Sequence, residues 1–481
     1  MSDILKADIA VIGAGATGLA AAVSAAEHGA RVIVFEKEKT FGGTGNFFDG
    51  IFAAESDLQR ADFVTYTKDQ AFKSIMEYSH WLANPRLVRA IVEESADTIN
   101  WLIKHGVEFC GAKINLPDSP RTYHVVKGQG AAVMLALATK AKALGADLRL
   151  GTPVVQILKE GAAVSGLVAE RDGEEIEVEA KAVIVASGGY LNNKEWVKKY
   201  TGFTIDVDLI PVGNVDKMGD GLRMAWEVGA AEEGTGVLEM FSLGPIGPNF
   251  AMKNLLEHVS MQPDLWVDVR GRRFCDEAVV FFDTTVGNVN SKLQDGISYR
   301  LFDSTIKRRL IEHGIDKNGG MENPPGTKLV NLEEELRAQI ENMPEDVFEA
   351  DSIEGLAEKI GADPAVLRAT TEEYNAFCAK GCDELFAKDR RWLRPLIGPK
   401  FYAIKARTIA LGTKGGIKIN ENTEVIDKKW RVIPGLYAGG FDAGGMYGDS
   451  YSIAGSSGLS SGYALNSGKI AGRNAAKYAR G

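Results

Sequence analysis

Residues 9–18 read Ile9-Ala10-Val11-Ile12-Gly13-Ala14-Gly15-Ala16-Thr17-Gly18, an apolar run that meets three spaced glycines. Four apolar residues that end in glycine suit a buried strand that must turn at once. Leu19 to Glu27 is alanine-rich and helix-prone, Gly29 ends it, and a second apolar run, Val32 to Phe35, closes on Glu36. In this strand, helix, strand order each glycine has its own task. Gly13 turns the chain, Gly15 lets backbone N–H groups approach a pyrophosphate, and Gly18 lets helix and strand pack closely. Glu36 stands where a carboxylate accepts a ribose 2′-OH and repels a 2′-phosphate, so the expected dinucleotide is FAD or NAD and not NADP.

A second glycine cluster, Gly42-Gly43-Thr44-Gly45-Asn46 followed by Gly50, is more than a simple NAD domain needs. With it the chain resembles the FAD-dependent family that includes the flavoprotein subunits of fumarate reductase and succinate dehydrogenase and the 3-ketosteroid dehydrogenases. The resemblance extends through Val183-Ile184-Val185-Ala186-Ser187-Gly188-Gly189, Gly219-Asp220-Gly221, Thr413-Lys414-Gly415-Gly416 and Ile433-Pro434-Gly435-Leu436-Tyr437-Ala438-Gly439-Gly440. It implies an α/β fold: a discontinuous Rossmann-like FAD-binding domain, residues 1–241 and 396–481, with an inserted α+β capping domain, 242–395. It also implies FAD contacts. In the first glycine loop and after it these are Gly13, Gly15, Ala16, Thr17, Gly18, Glu36 and Lys37, then Gly42, Gly43, Thr44, Gly45, Asn46 and Gly50. Further along they are Val155, Ala186, Ser187, Gly188 and Asp220, and near the C-terminus Gly416, Gly440, Phe441, Gly455, Gly458 and Leu459. The last motif leads in the family to a helix whose N-terminus faces the flavin pyrimidine and stabilises the anionic reduced flavin. The loop after Glu36 lacks the histidine that attaches flavin covalently in some relatives, so non-covalent FAD is expected.

Substrate chemistry is expected where cap and flavin meet. Fumarate reductases carry an arginine four residues after the glutamate of a G-K-R-F-x-N-E motif, and it protonates the substrate. This chain reads Gly271-Arg272-Arg273-Phe274-Cys275-Asp276-Glu277, and the position holds Phe281, which cannot deliver a proton. The family's substrate-clamping histidine and arginine are missing near Tyr447 as well, which argues against a dicarboxylate. Gly448, Tyr451 and Gly455 instead match the G-x-x-Y-x-x-x-G segment of the ketosteroid dehydrogenases, where a tyrosine serves the reacting carbons and a glycine N–H holds the ketone oxygen. The resemblance thus assigns catalysis to Tyr451 and Gly455, with Tyr447 and Tyr123 as further candidates. The same reading gives His124 as a possible near-neutral imidazole, Phe281 and Phe282 as possible pocket walls, and Glu277 as half of a structural salt bridge within the cap.

Composition fits a large protein of two or three domains: 481 residues, 45% of them hydrophobic. A net charge of −10 argues against nucleic acid or an anionic membrane as partner. No run reaches the ~18 apolar residues of a membrane span, and the N-terminus lacks the pattern of a secretory signal. Four scattered cysteines, Cys110, Cys275, Cys378 and Cys382, suit a reducing compartment, and the cytoplasm is the expected location. The six histidines form no ligand cluster, and no metal is expected. With no haem or iron–sulfur motif in the chain, electrons are expected from a free nicotinamide cofactor, a quinone or a partner protein. The function expected first is hydride transfer across a C=C bond beside a carbonyl on an apolar, cyclic or steroid-like ketone. A reductase of another unsaturated acid, such as an aryl acrylate bound by Arg121, and an electron-transfer subunit of a larger assembly are the alternatives.

Overall fold

The structure is a computed structural model that describes residues 4–115, 119–212, 215–246, 254–317, 323–451, 453 and 455–481. Gly247 and Pro248, part of the Gly/Pro-rich stretch after residue 243, lie outside them. The chain forms two compact units. One comprises Met1–Gly202, Gly213–Glu239 and Leu411–Gly481; the other comprises Phe203–Val212 and Met240–Ala410.

The first unit is built on an eight-stranded sheet. Strand β1 (Leu5–Ile12) leads through the glycine turn into helix α1 (Ala16–Glu27), and β2 (Val32–Phe35) returns parallel to β1 with Ile9 opposite Val32 and Ile12 opposite Phe35. Strands β3 (Asp147–Arg149), β4 (Glu174–Val185) and, after the short helix α2 (Asp220–Glu227), β5 (Val432–Ala438) extend the parallel run to the order β3-β2-β1-β4-β5. Parallel strands covered on both faces read as unbroken apolar runs, as Ile9 to Val11 and Val183 to Val185 do.

Asp172-Gly173, a two-residue turn signal in the sequence, closes an antiparallel hairpin between Ala163–Arg171 and Glu174–Val185. Both turn residues have positive φ, as a two-residue hairpin turn of matching twist requires. The structure also joins two elements that read as separate. Glu174 to Val185 is one strand, which pairs with Ala163–Arg171 in its first half and with β1 from Val178 onward. Conversely, the stretch from Asp147 to Leu158 holds two strands, β3 and Val154–Glu160.

Helix α3 (Leu459–Arg480) lies against α1 at backbone distance. A Cβ on Gly468 would overlap the Thr17 carbonyl oxygen, and one on Gly472 the Ala21 carbonyl oxygen, so this pair of helices packs only because those positions lack side chains. Alanines 20, 21, 22 and 25 of α1 and 471, 475, 476 and 479 of α3 fill the shared core.

The second unit has a six-stranded, largely antiparallel sheet, with Ile297–Asp303 between Leu265–Val267 and Phe401–Thr413. The helices expected from apolar spacing occur at Leu332–Asn342, Ile353–Ile360 and Pro364–Lys380, and their apolar faces join its core.

Gly468→Ala tests the helix contact. It should destabilise the first unit by roughly 1–3 kcal/mol through overpacking, seen as a lower urea midpoint; an unchanged midpoint would refute the close contact.

Candidate active site

The turn between β1 and α1 combines two crowded glycines with an open one. Gly13 has φ +101°, and a Cβ there would overlap the Ala186 carbonyl; a Cβ on Gly18 would overlap the Gly13 carbonyl. At Gly15 the nearest atom to a Cβ would be the Gly42 oxygen, 3.8 Å away. Gly43 and Gly188 leave similar room, with only a Val215 methyl at 3.9 Å and the Lys217 Cγ at 3.8 Å. Helix α1 begins behind Gly15 with no side-chain cap and no acidic residue in its first turn, and α3 begins the same way behind Gly458. A helix start without a side-chain cap is a positive dipole end that favours an anion. Two such starts and three open glycines fit a diphosphate-bearing cofactor such as FAD.

Glu36 is fixed at the end of β2. Ala14 N–H donates to its Oε2 at 2.8 Å and Glu38 N–H to its Oε1 at 3.0 Å, which holds the carboxylate beside the turn. Lys37, the next residue, bonds Asp216 at 2.9 Å and Asp220 at 3.1 Å. Other glycines of the expected contact set are explained by the chain packing on itself. A Cβ on Gly45 would come within 2.8 Å of Met134 Sδ, one on Gly50 within 2.9 Å of the Tyr123 ring, and one on Gly458 within 2.6 Å of the Phe52 nitrogen. A Cβ would overlap Leu222 at Gly416, Thr17 at Gly440 and Ser74 at Gly455.

Asp442, unremarkable in sequence, organises the opposite side of the site. Its fully buried carboxylate accepts from the N–H groups of Ser187, Gly188 (3.1 Å) and Gly189 (2.8 Å) and from Ser187 Oγ (3.1 Å). Burial raises its pKa, and these donors oppose the rise.

Tyr447 and Tyr451 are both buried, with ring centroids 5.2 Å apart in an edge arrangement. Burial, with Glu239 adding to the effect at both, holds the two phenols well above their usual pKa. The Ser460 backbone opposes that rise at Tyr451, and the Tyr447 hydroxyl has no partner among the described residues. Between them sits a lysine that sequence reading quoted only as part of a motif. Lys414 Nζ is fully buried, ion-pairs with Glu239, donates to Ser460 Oγ, and lies 4.0 Å from the Phe441 ring centroid, 4.6 Å from Tyr451 and 5.6 Å from Tyr447. Lys217, also buried, donates to the Leu411 carbonyl at 2.6 Å, and burial brings its pKa down to about 8. The available signal for these residues is charge within otherwise apolar surroundings, but it does not say which distant residues meet.

The remaining candidates fall elsewhere. Tyr123 is partly buried and lies in the three-stranded sheet opposite Phe52. His124 is fully buried: its Nδ1 side faces the Thr122 carbonyl at 3.0 Å, and Ser56 Oγ is 2.6 Å from Nε2. Desolvation takes its pKa down to about 4, so it is a neutral structural imidazole and not the near-neutral acid considered from sequence. Arg121 is half-exposed and 3.8 Å from Asp62. In the second unit Phe281 is buried against Trp392, with ring centroids 4.8 Å apart, whereas Phe282 is exposed. Glu277 is fully buried and takes Arg273 at 2.9 and 2.8 Å and Lys388 at 3.1 Å, the salt bridge expected within the cap.

Among the described residues no helix is long and apolar enough to cross a membrane. The chain matches the family described as FAD binding domain over residues 8–457. It is 35% identical to the vinyl phenol reductase of Lactiplantibacillus plantarum, across 98% of this chain and 96% of that protein. It is 29% identical to a fumarate reductase (cytochrome) of Shewanella frigidimarina, across 98% of this chain and 77% of that protein. Its fold is similar to that of the 3-ketosteroid Δ1-dehydrogenase of Sterolibacterium denitrificans, with a TM-score of 0.80 at 19% identity over 98% of this chain and 99% of that one.

The His124 environment sets an acid limit on stability. Its folded pKa of about 4 lies below the ordinary 6.5, so between those values the unfolded chain binds the extra proton and stability falls as pH drops. The loss amounts to about 3 kcal/mol by the lower end of that window. Urea denaturation at stepped pH should show a shallower acid slope for His124→Gln than for wild type; equal slopes would refute the assignment.

Proposed function

The chain belongs to the FAD binding domain family as an oxidoreductase of CH–CH groups, and we propose that it reduces a C=C bond conjugated to oxygen on an apolar, ring-bearing substrate. The observation that supports this most is the pair of buried phenols, Tyr447 and Tyr451, one of them with its hydroxyl unpartnered among the described residues. A buried hydroxyl without a partner is costly, and a substrate oxygen would satisfy it. Sites built for dicarboxylates need cationic clamps; rings and phenols suit a neutral, flat molecule.

FAD bound at the open glycines supplies the hydride at flavin N5. The residues proposed to hold it are those of the two glycine loops from Gly13 to Gly50, with Glu36 on the ribose, Ser187 and Gly188 on the return turn, and the start of α3 at Gly458 and Leu459. Tyr451 then gives its proton to one carbon of the double bond while hydride reaches the other, and the Tyr447 hydroxyl and the Gly455 N–H orient the substrate oxygen.

The same arrangement serves a cyclic enone and a vinyl phenol. A vinyl phenol that loses its phenolic proton and gains one at its terminal carbon becomes a quinone methide, a vinylogous enone ready for hydride at the carbon next to the ring. The similarity to a vinyl phenol reductase supports including that class. Electrons are proposed to come from a reduced nicotinamide, a quinone or a protein donor. The free thiols Cys110, Cys275, Cys378 and Cys382 are consistent with action in the cytoplasm.

The test is anaerobic. The purified protein, reduced with dithionite, is mixed with cyclohexenone, 4-vinylphenol, a 3-keto-Δ-steroid, an aryl acrylate or fumarate while flavin absorbance is followed. Reoxidation should be fast with one or more of the first three and slow with the acids, and Tyr451→Phe should slow it about 100-fold or more with FAD retained. Reoxidation by an acid alone, or a Tyr451→Phe protein at full rate, would overturn the reading.

A further inference from the structure

Lys414, Glu239 and Lys217 form a buried cluster with two positive charges and one negative. A salt bridge serving stability alone needs one cation for one anion. The Lys217 ammonium has the Leu411 carbonyl as its direct hydrogen-bond partner among the described residues, and it shares Glu239 at longer range. A surplus charge held out of water is unfavourable unless a further anion arrives.

The cluster has a defined direction. Of the three N–H donors on Lys414, Glu239 and Ser460 occupy two among the described residues, and the ammonium lies over the faces of Phe441 and Tyr451. Among the described residues the groups that meet this space come from separate segments: Lys217 before α2, Glu239 at the end of the first unit's middle segment, Lys414 after Thr413, Tyr447 and Tyr451 ahead of α3, Tyr463 within α3 with its ring centroid 5.7 Å from that of Tyr447, and Tyr123, which acts on Tyr451 at longer range. Ser460, in the first turn of α3, links the two halves. Its Oγ accepts from Lys414 and donates to Glu239 at 3.1 Å.

We propose that this cluster is the counter-charge for the phenolate that Tyr451 becomes on giving up its proton, with Lys414 as the positioning residue that sets the acidity of Tyr451. The inference rests on the proposed role of Tyr451. In the step, the Tyr451 O–H bond breaks and a C–H bond forms with the electron pair of the substrate π bond, as hydride from the reduced flavin forms the second C–H bond. Tyr451 is left anionic and regains a proton from water. A buried phenolate beside Glu239 alone would meet like charge; the surplus of the two lysines offsets it. Substrates whose oxygen gains negative charge during the same step gain from the same surplus, which favours enones and vinyl phenols over simple alkenes.

The experiment uses the FAD-loaded enzyme and the variant Lys414→Met/Glu239→Gln, which removes the ammonium beside Tyr451 together with its partner carboxylate and leaves Lys217 as the remaining cation of the cluster. Reoxidation of the reduced flavin is measured against pH, in H2O and D2O, with the enone or vinyl phenol that oxidises wild type, and with ferricyanide, which needs no proton donor. Reoxidation by substrate should slow about 10- to 100-fold with a larger solvent isotope effect and a displaced pH profile, reoxidation by ferricyanide should be unchanged, and Lys414→Arg should recover most of the rate. A double variant with wild-type rate, isotope effect and pH profile would overturn the proposal. If the double variant does not retain FAD, Lys217→Met, which leaves Lys414 and Glu239 as one cation for one anion, tests the surplus directly, and an unchanged pH profile there would overturn the proposal. Slow Tyr451→Phe beside an unaffected double variant would refute the counter-charge alone, whereas a fully active Tyr451→Phe would refute the reading beneath it.

Discussion

One buried carboxylate ties the first unit together. Asp442 receives three successive backbone N–H groups, from Ser187 to Gly189, and the Ser187 hydroxyl. It thereby joins the turn after β4 to the turn after β5, two segments more than 250 residues apart, at the edge where the parallel strands end. Ligands of open parallel sheets bind at that edge. The same turn sets Gly188 beside Lys217, and the segment after Asp442 brings in Tyr447 and Tyr451. Without this fixed bridge, neither the open glycines nor the phenols would have a defined position.

What could be read from sequence was what is local. The strand, glycine turn, helix and second strand at residues 5–36 are each set by neighbours in the chain, and the structure has them with Glu36 at the expected end. The hairpin at Asp172-Gly173 was readable for the same reason. The polar cluster around Lys414 was not, because its members come from segments at 217, 239, 414 and 460, and a lysine just after an apolar strand does not announce its partner. Tyr447 stood out less than Tyr451 in sequence, yet its hydroxyl is the one without a partner among the described residues. His124 failed differently. Its residue type suggested chemistry, and only burial shows that its ring is committed to Thr122 and Ser56.

The second unit holds charge for another purpose. Arg273 grips both Glu277 and Asp383, and Lys388 adds a second cation to Glu277, all out of contact with water. Cation and ring contacts with Tyr374 and Phe386 complete the shell, and the buried Arg300, stacked over Trp266, acts on Glu277 at longer range. The motif Gly271 to Glu277 therefore keeps the charged residues of its fumarate reductase counterpart while Phe281, in a buried aromatic contact with Trp392, ends any path for a proton.

The contact between α1 and α3 has a consequence for how the protein is made. The apolar face of α1 leaves the ribosome more than 400 residues before the helix that covers it, because Gly468 and Gly472 meet Thr17 and Ala21. Until then, β1 and α1 can form but their alanine surface stays open, and domains generally complete as units during synthesis. During synthesis α1 therefore waits for a partner that lies more than 400 residues further along the chain, and its packing is completed only when α3 arrives.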